Sequence, residues 1–209
     1  MEQDLHRVLE GLALAGLACG AEHGFVYVRA EYPRAGERLR AAVAEAGAVG
    51  LLGPDVLGSG VAFDVEVVAG AGSYVAGEET SLLASLEGQR GAPRPRPPYP
   101  TSAGLLGRPT AVNNVETLAA VPEIVRRGGH AFAGLGVRPE SGTKLVCLNE
   151  RFRRRRCTRW RWECRCGPSS RTSAAACGTG IACGRCRSAG RWAVSSPPTT
   201  WMCRCSMRP

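Results

Sequence analysis

The sequence predicts an α/β fold over its first 150 residues, followed by a largely unstructured tail. Three observations carry that prediction. Helical apolar spacing alternates with short runs of β-branched and aromatic residues. The connection between the first two such runs is long enough to hold a helix, which implies parallel pairing and a right-handed crossover. The pattern stops near residue 150, where composition changes abruptly.

The elements follow in order. Leu5, Val8, Leu9, Leu12 and Ala15 fall at helical spacing within residues 4–18. Phe25 to Arg29 reads as a strand. Pro33 suits the first turn of a second helix, where its missing N–H costs nothing, with Leu39, Val43 and Ala46 on one face and an end at Gly47–Gly50. Val61 to Val68 is the second strand, ending at Gly70, with a turn at Gly70-Ala71-Gly72. Glu78 to Glu87 reads as a helix, and residues 91–100, rich in proline, as an extended polyproline-like loop. Asn113 or Asn114 can cap a helix that begins at Val115; Pro122 is expected to break or restart it, and Gly128-Gly129 to end it. Lys144 to Leu148 starts one more strand, and no internal repeat is present.

Charge divides the chain as sharply. The formal net charge of +9 suggests a nucleic-acid or acidic-membrane partner. Residues 1–150, however, hold 13 basic and 17 acidic residues, a net of −4, whereas residues 151–209 hold 14 Arg and one Glu, a net of +13. An acidic body argues against a nucleic-acid partner. All four Trp and eight of the ten Cys lie in the tail, leaving Cys19 and Cys147 upstream, which fits a reduced cytoplasmic protein without a disulfide framework. The acidic opening Met1-Glu2-Gln3-Asp4 is not a secretory signal, and the mostly apolar stretch Leu9 to Ala21, with three Gly, is too short for membrane insertion.

Two nucleotide-binding templates fail at the glycine turn. Gly70, Gly72 and Gly77 lack G-x-G-x-x-G spacing, and Glu78-Glu79 stands where a P-loop needs Lys and Ser/Thr. What remains is a glycine turn leading through Tyr74 and Gly77 to a helix start bearing two carboxylates. Its first N–H groups can meet a flavin or a ribose; equally, carboxylates in a first turn can simply answer the helix dipole. The proline-rich strip is as ambiguous. Tyr99 is a rigid aromatic face for an adenine, and Arg94 and Arg96 can meet a diphosphate, yet such strips are also solvated linkers or partner-binding segments.

Taken together, these phrases resemble the NADH-binding flavoprotein subunit of complex I and the diaphorase subunits of NAD-dependent formate dehydrogenases and NAD-reducing hydrogenases. The matching phrases are Gly77-Glu78-Glu79-Thr80, Ser85-Leu86-Glu87-Gly88, Arg90-Gly91, Pro97-Pro98-Tyr99-Pro100, Gly107-Arg108-Pro109-Thr110 and Val112-Asn113-Asn114-Val115-Glu116-Thr117, with Glu31-Tyr32-Pro33 and Gly53 to Gly60 upstream. The resemblance implies an NADH:acceptor oxidoreductase in which hydride passes to FMN and single electrons pass on to iron–sulfur clusters. By position it places Tyr74, Gly77 and Glu78 at the flavin, with Asn113, Asn114 and Thr117 at its ribityl and phosphate. It places Glu79 and Arg96 at NAD(H), and Tyr99 on the adenine. Relatives often carry Cys at Ala76 and Phe at Tyr99. The implied partners are the other subunits of a multi-subunit NADH-oxidising complex, with a cytoplasmic location peripheral to a membrane assembly.

On this reading residues 1–140 form a partial FMN/NADH-binding domain, 141–150 begin a β-grasp domain, and 151–209 are a tail. The family's glycine-rich flavin loop, G-R-G-G-x-G-F-P, and the C-G-x-C-x-P-C motif that holds its 4Fe-4S cluster are absent, so the chain is expected to be inactive as a fragment. The rivals are a truncated remnant without cofactor and an Arg/Cys-rich interaction protein.

The tail has its own alternatives. Cys157, Cys164, Cys166 and Cys177 could hold zinc, and Arg153–Arg156 could form a nucleic-acid arm, but paired hooks of conventional spacing are lacking. An out-of-frame translation of a GC-rich gene accounts for more. Read one base earlier, every Trp and Cys codon yields Leu, Val or Met, and the segment Cys157 to Glu163 can then read Val-Tyr-Glu-Val-Glu-Val-Gly, an alternating strand.

Overall fold

The computed structural model describes residues 4–70, 74–135, 142–147 and 157–161. They fall into two units, one ending at Arg126 and one starting at Arg127. In the first, α1 (Leu5–Cys19), β1 (His23–Arg29), α2 (Pro33–Ala48) and β2 (Asp64–Gly70) follow one another. The two strands pair in parallel, with Val26 opposite Val67. Parallel neighbours need a crossover, and α2 supplies it, opening with Pro33 in its first turn as expected. Val26, Val28 and Val65 point to one face of the sheet and are buried with Leu9, Ala35, Leu39, Ala42 and Ala46 of the two helices. Phe25 and Tyr27, one residue out of phase, face the other way.

Downstream, a short turn of helix at Tyr74–Gly77 leads into α3 (Glu79–Leu86). Ala71, Gly72 and Ser73, part of the expected glycine turn, lie outside the described residues. The proline-rich strip has no helix or ladder from Gly91, bends at residues 96–98, where the Arg96–Pro97 and Pro97–Pro98 peptides are cis, and ends in the single turn α4 (Pro100–Ala103). It is not polyproline-like throughout.

The other departure concerns α5 (Val115–Arg127), which passes through Pro122 without breaking. A proline cannot donate to the carbonyl four residues back, here that of Leu118. In this fold α1 lies directly against that carbonyl at Gly11, where an added Cβ would stand 2.0 Å from the Leu118 oxygen. The adjacent Ala119 carbonyl accepts a 2.6 Å hydrogen bond from Arg7 Nε. A neighbouring helix thus occupies the weak point of α5, and Pro122 is itself fully buried there.

In the second unit, α6 (Gly129–Ala133) is followed by β3 (Thr143–Cys147), which pairs antiparallel with β4 (Cys157–Arg161). Lys144 to Cys147 therefore forms the expected strand, and its partner comes from the segment read as out of frame; the residues after Arg161, with the other tail cysteines, lie outside the described residues. No described helix is long and apolar enough to cross a membrane.

Candidate functional site

The start of α3 is built around Glu78. Its backbone is extended (φ −83°, ψ 137°) and its carboxylate caps the helix, Oε2 accepting from Ser81 N–H at 2.9 Å and from Thr80 Oγ1 at 2.5 Å. Oε1 accepts from Arg96 Nη2 at 2.8 Å. Burial pushes the Glu78 carboxyl up, but the hydrogen bonds from Thr80, Ser81 and Arg96 outweigh it and hold the group at about 2. Glu78 is therefore a fixed anion at neutral pH. The first-turn N–H groups of Thr80 and Ser81 are turned to this carboxylate, so the helix start is not open to a ligand as the sequence had allowed. Glu78 thus answers the helix start itself, in line with the structural alternative that the sequence left open.

Arg96 joins the two carboxylates: the same Nη2 that meets Glu78 lies 2.6 Å from Glu79 Oε1. Two anions and one cation leave this cluster with a net negative charge, about a third of it in contact with solvent. Such a cluster accepts hydrogen bonds from hydroxyls and repels phosphate placed directly on the carboxylates. Tyr74 (67% exposed) and Tyr99 (56% exposed) leave most of their surface uncovered, four and three residues from the cluster along the chain, and Gly77 immediately precedes Glu78. Aromatic rings this open are free to stack on a planar group.

Arg94, the other cation expected to face a diphosphate, is committed elsewhere. Its guanidinium pairs with Glu87, Nη1 lying 3.4 Å from Oε1 and Nη2 on Oε2, while its backbone N–H donates to Thr80 Oγ1 at 2.8 Å. Glu87 and Thr80 were not singled out from the sequence as site residues. The signal available was a carboxylate and a guanidinium seven residues apart around Gly88 and Gly91, which is weak.

Below the cluster, Tyr27 of β1 reaches across to α3, its hydroxyl 3.0 Å from Ser85 Oγ. Its ring fills the space over the last residue of β2, so that a Cβ on Gly70 would stand 2.2 Å from the hydroxyl oxygen. Gly70 is required there because a phenol takes the place of its side chain, a reason invisible in the glycine spacing.

Asn113, Asn114 and Thr117 are all exposed, at or just before the start of α5. Asn114 is the cap: its Oδ1 accepts from Glu116 N–H at 2.8 Å and its carbonyl from Leu118 N–H at 3.0 Å. With Oδ1 used in this way, its side-chain NH2 remains as a donor on an exposed residue. No hydrogen bond or ion pair among the described residues joins Asn113, Asn114 or Thr117 to Glu78, Glu79 or Arg96. The acidic cluster is assembled by direct contact, whereas the asparagines lie at the start of α5 with Asn114 engaged in capping that helix.

Known proteins resemble this chain in sequence and fold. Over 154 residues the chain is 51% identical to an NADH-quinone oxidoreductase subunit of Rhizobium meliloti (strain 1021), covering 74% of this chain and 37% of that protein. It is 48% identical to the NADP-reducing hydrogenase subunit HndC of Solidesulfovibrio fructosivorans, covering 71% of this chain and 30% of that one. Among solved structures, an NAD+-reducing NiFe hydrogenase in the H2-reduced state superposes with a TM-score of 0.69 at 37% identity, over 76% of this chain and 26% of that one. The chain thus spans about a third of the length of the relatives it matches. The profile of the Nuo51 FMN-binding domain matches residues 1–123, more than half of the sequence, and the chain belongs to that family.

Proposed function

We propose that this chain is the nucleotide-binding part of an electron-transfer flavoprotein subunit that oxidises NADH through FMN and delivers electrons to the iron–sulfur clusters of a respiratory-type complex. The observation that carries the proposal is the joining of Glu78, Glu79 and Arg96 into one solvent-open cluster, with the exposed Tyr74 and Tyr99 close to it along the chain. FMN, when bound, supplies the conversion of a two-electron hydride donor into single electrons. The residues of this chain bind and orient.

The donor set fits both ligands. Glu79 accepts hydrogen bonds from ribose hydroxyls, Arg96 offers its remaining guanidinium N–H groups to the diphosphate, and Tyr99 stacks on the adenine. Tyr74, Gly77 and Glu78 border the flavin ring. Asn113, Asn114 and Thr117 are exposed amides and a hydroxyl at a helix start, chemistry suited to a ribityl chain and a phosphate. Because the chain spans only about a third of its relatives, turnover belongs to the whole protein, assembled with its other subunits at the cytoplasmic side of a membrane complex. These residues alone are expected to bind without turning over.

The test is a titration of NADH with the purified chain, followed by NADH fluorescence anisotropy in reducing buffer. Saturable binding is expected, weakened on the order of tenfold or more in Arg96→Ala, which removes a charge-assisted contact and leaves two facing carboxylates. A wild-type chain that leaves NADH tumbling freely defeats the proposal.

A further inference from the structure

The proline-rich strip carries Arg96 and Tyr99 but has no ladder or helix of its own to fix it. Side chains of α3 hold it at two points. At the helix start Thr80 Oγ1 accepts from Arg94 N–H and donates to Glu78, which in turn receives Arg96. At the helix end Glu87 takes the Arg94 guanidinium with both oxygens and also accepts, through Oε1, the N–H of Leu106 at 2.9 Å. Three donors thus converge on one carboxylate whose side chain is only 10% exposed, against 36% for Glu78. The contrast separates the two acids: Glu78 is open to solvent, and Glu87 is largely withdrawn from it.

The third donor comes from a strained place. Leu106 has φ 51° and ψ 34°, a left-handed conformation that a leucine adopts at a cost, and its side chain is 77% exposed, so no apolar packing offsets that cost. What the conformation achieves is delivery of the amide to Glu87. The segment after the strip is closed by further bonds, Thr110 N–H to the Pro100 carbonyl at 2.8 Å and Leu105 N–H to Thr110 Oγ1 at 2.9 Å. Strip and following turn are therefore tied together on one carboxylate, with Tyr99 between the two attachments.

We propose that Glu87 and Arg94 are positioning residues for dinucleotide binding: their pair, extended to the Leu106 amide, sets where Arg96 and Tyr99 stand relative to Glu78 and Glu79. The inference rests on the NADH reading above and adds residues to it that touch no ligand. The hydrogen bonds from Arg94 and Leu106 also hold the Glu87 carboxyl below its ordinary range against the opposing effect of burial, in keeping with a permanently ionised clamp.

The experiment compares the full chain with Glu87→Gln and Arg94→Lys, measuring NADH and FMN affinity separately and amide exchange at Leu106 and Arg94. Glu87→Gln removes the charge and keeps the shape; Arg94→Lys keeps the charge and loses the planar fork, and carries the test if the first variant fails to fold. NADH affinity is expected to fall roughly tenfold in either variant, because misplacing a binding group by an ångström is enough for that. Leu106 exchange is expected to quicken in Glu87→Gln, while FMN affinity stays as in the wild type. NADH affinity unchanged in both variants, or NADH and FMN affinity falling in parallel, overturns the clamp and leaves the NADH reading standing. A wild-type chain that does not bind NADH overturns that reading, and the clamp's assigned purpose with it.

Discussion

Replacing Gly11 with alanine tests the contact that lets α5 run through Pro122. An alanine Cβ at position 11 would lie 2.0 Å from the Leu118 carbonyl oxygen and 2.7 Å from its carbon, both backbone atoms that cannot rotate away. Reaching even a tight 3.0 Å contact requires α5 and α1 to part by about 1 Å, which forfeits a quarter to a half of the dispersion energy along the seam. Overpacking of this kind costs about 3 kcal/mol at its upper end, and alanine's better helix propensity returns about 1, leaving a loss of about 2 kcal/mol. For a domain of this size that lowers the melting temperature by roughly 8 °C. Gly47 is the control, since it sits in α2 with nothing within 4 Å of an added Cβ and an ordinary helical φ. There the same substitution is expected to gain about 0.5 kcal/mol and raise the melting temperature by a few degrees. Circular dichroism melts of the two variants read the sign directly. Because Asn113 and Asn114 lead directly into α5 and Thr117 lies in its first turn, Gly11→Ala is also expected to weaken FMN binding. A Gly11→Ala chain that melts at or above the wild type shows that the helices do not meet as described, and with it goes the account of Pro122.

Two further outcomes follow from the site. Gly70→Ala is expected to cost about 1–3 kcal/mol because of the Tyr27 ring, whereas combining it with Tyr27→Leu, which vacates that space, should cost less than the two changes summed; strict additivity in a double-mutant cycle would remove the contact. Glu78, lowered in the fold from an ordinary 4.5 to about 2, contributes stability that is fully present above pH 4.5 and is lost as the pH falls from there towards 2. Glu78→Gln should melt lower than the wild type at neutral pH and show a shallower acid decline across that window, part of which remains because Glu87 is shifted in the same direction; parallel declines in the two proteins would contradict the capping role.

The parts of the fold that were legible in the sequence are those whose cause is local. The stripe Leu5, Leu9 and Leu12 and the strand at Phe25–Arg29 announce themselves because burial of one face imposes a period on the chain, and the long crossover through Leu39 and Ala46 left parallel pairing as the only economical arrangement. Pro122 was misjudged because its remedy is not local. The donor-less Leu118 carbonyl is faced by Gly11, and Arg7 reaches Ala119 from 112 positions away, so propensity predicted a break that packing removed. Gly70 followed the same logic, its absent side chain being explained by a tyrosine on another strand.

The candidate site divides along that line. The contact of Glu78 and Glu79 with Arg96 was readable because the three lie within 19 consecutive residues, and a helix start followed by a returning strip brings such a stretch back on itself. Its geometry was not readable, since Thr80 and Glu87 stand in the matching phrases without an assigned partner, and Arg94 reads as a cation for a diphosphate until its pairing with Glu87 is known. The asparagine half depends on the seating of α5 against α1, a contact with no trace in residues 113–117 themselves. A short motif can therefore suggest the chemistry of this family, while the packing around it is set by Gly11 and Arg7, which lie outside every matching phrase, and by Glu87, whose contacts its phrase does not announce. Substitutions at those three positions should accordingly weaken ligand binding without altering a single ligand-facing side chain, the signature of a site whose precision is stored in its supports.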